Sequence, residues 1–273
     1  MGLFRMVEGE GRMKPITADE VDAAVSEWKE WQSSPWAKLL YSISRFNIQR
    51  HLENHPLRIL DVGGGNGFNA IYFAQQGHSV TLLDCSPFML SDAKQTADKE
   101  GVFEKITFCQ ADVGTIQDRF QGQQFDLILC HLMIEFVSEP KKVLKNICDL
   151  MASDGLLSLL DANRYSEVYR KAIQANDLEA ALKVINTKEY FHPWIHRLTP
   201  LFSSSEMIDI LRANGCEAVG DYGIRCICDY LPNEPKYEAK YFEALEQLER
   251  KLTGTYPYNL LARFYQVIIK KKQ

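Results

Sequence analysis

An excess of positive charge is the first thing this sequence lacks. Its 31 Lys and Arg stand against 36 Asp and Glu, for a formal net charge of −5 over 273 residues. Proteins that grip nucleic-acid backbone without sequence preference carry a basic surplus, so that class is disfavoured, although a bulk figure leaves room for a local patch. Paired cysteines are also missing. Cys85, Cys109, Cys130, Cys148, Cys216, Cys226 and Cys228 are odd in number and scattered. None forms a Cys-x-x-Cys pair or joins a histidine cluster at zinc-ligand spacing, so no metal site is expected. They read as reduced, mostly buried small apolar residues of a reducing compartment. Cys226 and Cys228, two apart, are expected on one face of a strand. No apolar stretch of signal-peptide length opens the chain, and none approaches the roughly 18 residues of a membrane span. Met1-Gly2 lacks the Ser or Thr that myristoylation wants at position six, where Met6 stands. No membrane partner and a cytoplasmic location are the expectations.

What is present is an alternation. Residues 1–16 have no periodicity and are expected to be a flexible tail. From residue 17 the chain is expected to form one domain, 17–273, opening with amphipathic helices in 17–56. Thr17 is placed to cap the first, with Glu20 three residues on, and a second is expected over 35–54. Short apolar strands are then expected at 58–62, 79–83, 106–109, 125–130 and 156–160, with helical segments at 68–76, 87–99 and 140–151 between them. Strands alternating with helices of that length imply an α/β fold with a parallel sheet covered on both faces. Beyond residue 160 the rhythm changes. A helix is expected over 165–185, an aromatic and irregular stretch over 186–205, and helices over 205–214 and 236–252. Strands are expected at 217–221, 224–230 and 263–269. The span 162–205 is expected to be a lid inserted in the core.

The densest chemical signal is Leu60-Asp61-Val62-Gly63-Gly64-Gly65-Asn66-Gly67. Glycines at the carboxyl end of a strand let the backbone turn sharply and approach a ligand in the crevice where open α/β sheets bind their ligands. Dinucleotide loops read Gly-x-G-x-x-Gly and cradle a pyrophosphate. Here Asp61 precedes Gly63, Gly65 and Gly67, where an acid repels phosphate and suits an ammonium. Asp84 ends the second strand, placed to accept both hydroxyls of a ribose, with Cys85 beside it to pack near the adenine. Asp112 follows the third strand, either to accept an adenine amino group, with Ala111 and Val113 alongside, or simply to cap a helix. His131 follows the fourth strand at the same rim, a candidate for cofactor or substrate contact, and Glu135 either faces the same pocket or pairs on a helix. No catalytic base is assigned.

The pattern Asp-x-Gly-x-Gly-x-Gly resembles the first motif of the class I S-adenosylmethionine-dependent methyltransferases. That resemblance implies a Rossmann-like, mostly parallel seven-stranded sheet with an antiparallel C-terminal strand, and S-adenosylmethionine as cofactor. Residues 58–270 resemble more narrowly the bacterial tRNA 5-carboxymethoxyuridine methyltransferases, which esterify the carboxylate of a modified wobble uridine. The stretches that carry this are His131-Leu132-Met133-Ile134-Glu135-Phe136-Val137, Gly223-Ile224-Arg225-Cys226-Ile227-Cys228-Asp229-Tyr230-Leu231 and Tyr241-Phe242-Glu243-Ala244-Leu245-Glu246-Gln247-Leu248-Glu249, with Tyr256-Pro257-Tyr258 and Arg263. Two departures stand out. The family's arginine before the first strand, which meets the cofactor's carboxylate, has no counterpart in Lys38-Leu39-Leu40-Tyr41, leaving Lys38 or Arg45 to substitute. A lysine-rich segment is reduced here to Lys188, His192, His196 and Arg197. Tyr190 and Trp194 are candidates to stack on a substrate ring, and Arg197 and Arg225 to meet its charge. Transfer RNA and a small methyl acceptor both remain as partners, and a noncatalytic adenosylmethionine-binding module is a third reading.

Overall fold

The computed structural model describes residues 16–192 and 194–272. The tail expected over 1–16 lies outside them except for Ile16. Strands β1 (Arg58–Val62), β2 (Ser79–Asp84), β3 (Ile106–Gln110), β4 (Phe125–His131), β5 (Met151–Ala162), β8 (Cys216–Ile224) and β9 (Phe264–Lys271) form one sheet, and β6 (Glu189–His192) pairs with β7 (Arg197–Pro200) in a second. The large sheet runs β3-β2-β1-β4-β5-β9-β8. The first five are parallel, and β9 inserts antiparallel between β5 and β8. This is the expected seven-stranded Rossmann-like sheet. Strand order reverses between β1 and β4, so the carboxyl ends of those two strands bound the crevice in which such folds bind ligands.

The helices are α1 (Ala18–Ala23), α2 (Val25–Ser33), α3 (Pro35–Gln49), α4 (Phe68–Gln75), α5 (Pro87–Lys99), α6 (Ile116–Arg119), α7 (Pro140–Asp149), α8 (Ser166–Tyr169), α9 (Leu178–Lys183), α10 (Ser204–Ala213) and α11 (Ala239–Leu252). One face of the sheet buries Ile59, Leu82 and Leu127 against Ile48 of α3, Phe73 of α4 and Ala93 of α5. The other buries Leu60, Ile128 and Leu157 against Ile116 of α6, Leu144 of α7 and Leu211 of α10. Alternate residues of one strand thus serve opposite cores, which is why the central strands read as unbroken apolar runs. A third cluster joins Leu39 and Ile43 of α3 to Ile224, Leu245 and Phe264. Among the described residues, no helix is long and apolar enough to cross a membrane.

Three expectations change. The helix expected over 165–185 is broken into α8, a π-helical turn at Arg170–Gln174 and α9. Asn176, with φ 49°, reverses the chain between the last two. The irregular stretch 186–205 holds the β6/β7 hairpin. The strands expected at 217–221 and 224–230 are one strand, β8, with a register shift between Ala218 and Gly220. Cys226 and Cys228 lie beyond its end in a turn that begins at Arg225, φ 63°. Glu249 of α11 shapes that turn: its buried carboxylate accepts the amides of Cys226 at 2.7 Å, Ile227 at 3.0 Å and Cys228 at 2.9 Å.

Candidate active site

A cavity of about 930 Å³ opens over the carboxyl ends of β1, β2 and β4 and extends under the β6/β7 hairpin. Asp61, Gly63, Gly65, Asp84, Cys85, Ala111, Asp112, Val113 and His131 line it, as do Tyr190, Trp194 and Arg225. Gly67 and Arg197 do not appear on its wall. Gly67, with φ 78°, instead starts α4.

The loop after β1 is shaped by close approach. Gly63 has φ 68°, and a Cβ there would stand 2.6 Å from Met133. A Cβ on Gly64 would stand 2.7 Å from the Asp61 carboxyl carbon. The Asp61 carboxyl therefore lies directly beneath the loop. It is 2% exposed, and its Oδ2 has no hydrogen-bond partner. Burial, reinforced by the neighbouring Asp84 charge, pushes its pKa up to about 7. A buried carboxyl oxygen without a donor is the complement of an incoming ammonium.

Asp84 Oδ2 accepts the Gly65 amide at 2.9 Å and its Oδ1 accepts the Ser86 amide at 2.9 Å. Each oxygen keeps a second lone pair for a hydroxyl. Burial raises its pKa, against the lowering effect of those amides. Asp112 is exposed and caps the short turn that follows, taking the Gly114 amide on Oδ1 at 2.6 Å. The capping alternative thus describes one of its oxygens, and the other faces no protein donor among the described residues.

His131 is tied into the sheet. Its Nε2 lies 2.8 Å from Ser158 Oγ and its Nδ1 3.4 Å from Asn69 Nδ2. Asn69 Oδ1 accepts from Arg45 Nε at 3.1 Å, which turns its amide nitrogen toward the ring. Burial lowers the His131 pKa to about 3, and the Arg45 charge adds to this, so the imidazole is neutral at physiological pH.

Beyond His131 the wall becomes cationic. Arg225 directly follows β8 and Arg263 directly precedes β9, and the Arg263 amide donates to the Arg225 carbonyl at 3.2 Å. Arg170 and Lys236 complete the group. Two carboxylates pair with three of these four cations, and Glu249 also lies close enough to Arg225 to favour its charge. Arg225 Nε donates to Asp229 at 2.7 Å, while Arg170 and Arg263 share Glu167 at 2.6 and 3.5 Å. Lys236 Nζ donates only to the Leu231 carbonyl and Asn233 Oδ1, both at 2.9 Å. Glu135 also lines the cavity and accepts the Tyr190 hydroxyl at 2.6 Å. Burial pushes both Glu135 and its neighbour Asp161 toward the protonated form. His192 registers the surplus: its pKa is lowered to about 4 by burial and then by Arg263, Arg197 and Arg170.

The cavity is covered from two directions. Trp28, Trp31 and Trp36 of the first helices line it, and Trp31 meets Trp194 of the hairpin edge-on at 5.7 Å. Arg197 serves this closure, bridging the hairpin to Glu20 of α1 at 3.5 Å. The spacing of the three tryptophans along the first helices marks a buried face and not what it is buried against.

A methyltransferase domain model matches residues 53–206 of this chain. The tRNA 5-carboxymethoxyuridine methyltransferase of Escherichia coli K12 is 31% identical over 218 residues, covering 80% of this chain and 81% of that protein. The chain belongs to the methyltransferase family. A ubiquinone biosynthesis O-methyltransferase of Rickettsia canadensis is 28% identical over 199 residues, covering 70% and 76% of the two chains. Among solved structures, the Burkholderia thailandensis 1,6-didemethyltoxoflavin-N1-methyltransferase, with S-adenosylhomocysteine bound, superposes with a TM-score of 0.58 at 18% identity, covering 94% of this chain and 87% of that one. A putative methyltransferase of Haloferax volcanii in complex with its Trm112 activator gives 0.61 at 16% identity, covering 94% and 98%. This methyltransferase is S-adenosylmethionine-dependent, and the chemistry of its cavity fits that cofactor: a buried carboxyl oxygen of Asp61 lies without a donor under the glycine loop, and both oxygens of Asp84 keep lone pairs beyond the amides they accept.

Proposed function

We propose that this methyltransferase esterifies the carboxylate of 5-carboxymethoxyuridine in transfer RNA. The observation that carries the reading is the cationic wall of Arg170, Arg225, Arg263 and Lys236 at the acceptor end of the cavity. A carboxylate acceptor is already ionised at neutral pH and needs no base, whereas a phenol or amine needs one near the methyl group. His131 is held neutral by burial. Burial pushes Glu135 and Asp161 toward protonation, and Glu135 already accepts the Tyr190 hydroxyl. The relationship to the Escherichia coli enzyme supports the same acceptor.

When bound, S-adenosylmethionine supplies an electrophilic methyl group on a sulfonium. The chain's own contribution is placement. Asp61 receives the ammonium and Asp84 the ribose hydroxyls. Cys85, Ala111, Asp112 and Val113 surround the adenine. His131 and Leu132 border the reacting centre without exchanging a proton. The arginine wall turns the acceptor's carboxylate toward the methyl, and Tyr190 and Trp194 flank its ring. Transfer of the methyl group to the carboxylate oxygen, with the sulfur keeping the electron pair, would cancel the opposite charges of acceptor and sulfonium. Excluding water under Trp31 and Trp194 favours a step that removes charge. Held in line, the two reactants gain most of their rate from orientation.

Nucleoside mass spectrometry of transfer RNA from a deletion strain tests the reading. The methyl ester of 5-carboxymethoxyuridine should vanish and the free acid accumulate. An unchanged ester would sink the RNA assignment. The enclosed aromatic cavity and the likeness to ubiquinone O-methyltransferases then favour a small aromatic acceptor.

A further inference from the structure

The cofactor's amino-acid end carries a carboxylate as well as an ammonium, and no cation of the first helices lines the cavity. Lys38 is exposed on α3 and is not part of the cavity wall. Arg45 lies behind the wall. Its Nε is taken by Asn69 Oδ1 at 3.1 Å and its Nη2 by the Phe68 carbonyl at 2.7 Å. Its guanidinium is stacked against Tyr72 at 4.1 Å and Phe68 at 4.7 Å. Neither lysine nor arginine can act there as a direct partner without leaving its present place.

Tyr41, between them on α3, does line the cavity, and its hydroxyl has a determined role. Gln32 and Asn66 form a reciprocal amide pair: Asn66 Nδ2 donates to Gln32 Oε1 at 2.8 Å, and Gln32 Nε2 donates to Asn66 Oδ1 at 3.3 Å. The same Nε2 lies 3.3 Å from Tyr41 Oη and donates to it. Tyr41 is therefore an acceptor toward Gln32, and its own proton has no acceptor among the described residues. A buried hydroxyl proton without an acceptor marks a place for an anion or a lone pair.

The location fits. Asp84 ends β2 and Asp112 follows β3, on the outer side of the crevice, so a ligand with its nucleoside there extends its other end toward β1 and β4. Tyr41 packs at 4.4 Å on Phe68, the first residue of α4, beside the loop that covers Asp61. Arg45 sits 5.6 Å from the centre of the Tyr41 ring. Its charge is felt by Asp61, Tyr41 and His131 alike.

We propose that Tyr41 donates its hydroxyl proton to the carboxylate of the cofactor's methionine moiety, with the buried Arg45 cation behind it, in place of a direct arginine contact. This rests on the adenosylmethionine cofactor and is independent of which acceptor is methylated. The charge is supplied from a distance and the hydrogen bond by a neutral group. The side chain that binds is then one with few rotamers to freeze, already packed in place.

The test compares three ligands by isothermal titration calorimetry on wild type and Tyr41→Phe, which keeps the ring. S-adenosylhomocysteine carries both charged groups, decarboxylated S-adenosylmethionine keeps only the ammonium, and 5′-methylthioadenosine has neither. Removing a hydrogen bond to a charged group should weaken S-adenosylhomocysteine binding roughly tenfold. Decarboxylated S-adenosylmethionine and 5′-methylthioadenosine should bind the variant as they bind wild type. Unchanged affinity for S-adenosylhomocysteine, or an equal loss for all three ligands, overturns the proposal. Lys38→Ala serves as the control: a selective loss of S-adenosylhomocysteine there would place the carboxylate on Lys38 and overturn it too.

Discussion

Asp61 in the ligand-free protein is a carboxyl poised near neutrality, pushed up to about 7 by burial and by Asp84. Its folded pKa lies above the unfolded value, so it favours the folded state below about pH 4 and withdraws that support as pH rises through 7. An ammonium ligand reverses the preference by stabilising the ionised form. S-adenosylhomocysteine binding should therefore release part of a proton near pH 7 and tighten about tenfold between pH 6 and 8. Calorimetry in buffers of different ionisation enthalpy measures the release, and Asp61→Asn should abolish it. Asp84→Ala should weaken the same ligand by at least about tenfold, since it removes the proposed acceptor of two hydroxyls; wild-type affinity would refute the ribose role. His131, lowered to about 3, carries no charge change between pH 5 and 8. His131→Asn should leave the shape of the rate's pH profile unaltered, and a lost inflection near 6.5 would show that the imidazole does titrate in turnover.

At the scale of elements, the order β1 to β5 was legible because each holds a short apolar run followed by a turn residue or an acid at the same rim, although β5 starts at Met151, ahead of its apolar run. The capping box of Thr17 and Glu20 was equally plain and is present in α1. What the residues did not announce were features fixed by distant partners. The turn at 225–230 looks like strand, with Ile224, Cys226 and Cys228 alternating. It leaves the sheet because Glu249, in another element, captures three successive amides. Likewise Arg197 reads as a substrate cation until Glu20 is seen beside it, and Arg170 gains meaning only where α8 and β9 meet at Glu167. Glu249→Ala should strip those amides of their acceptor. Each buried unpaired group costs about 1–3 kcal/mol, so a loss of roughly 3 kcal/mol or more in denaturant-derived stability is expected. A fall below about 1 kcal/mol would mean the turn holds its shape unaided. Trp31→Ala opens the joint between α2 and the hairpin. It should raise the dissociation rate of S-adenosylhomocysteine in stopped-flow fluorescence, while an unaltered rate would show that this contact does not gate the cavity.

For the molecule as a whole, a net charge of −5 bears on how the proposed transfer-RNA substrate would be held. The proposal places recognition on the enclosed nucleotide and uses no basic surface outside the cavity. The logarithm of KM for transfer RNA should rise with the logarithm of salt with a slope of only about 2, and an isolated anticodon stem-loop should be nearly as good a substrate. A steep slope would reveal a basic surface that the proposal does not use. The sheet order adds a consequence in time. Strand β9 inserts between β5 and β8, and Arg263 at its start lies against Arg225. On the ribosome, residues 16–162 emerge with every group proposed here for the methyl donor, whereas the acceptor end waits for segments made a hundred residues later. A nascent chain stalled before β9 holds every residue proposed for the donor, yet lacks the strand whose Tyr265, Val267 and Ile269 complete the core beneath them and whose neighbours would select what receives the methyl group.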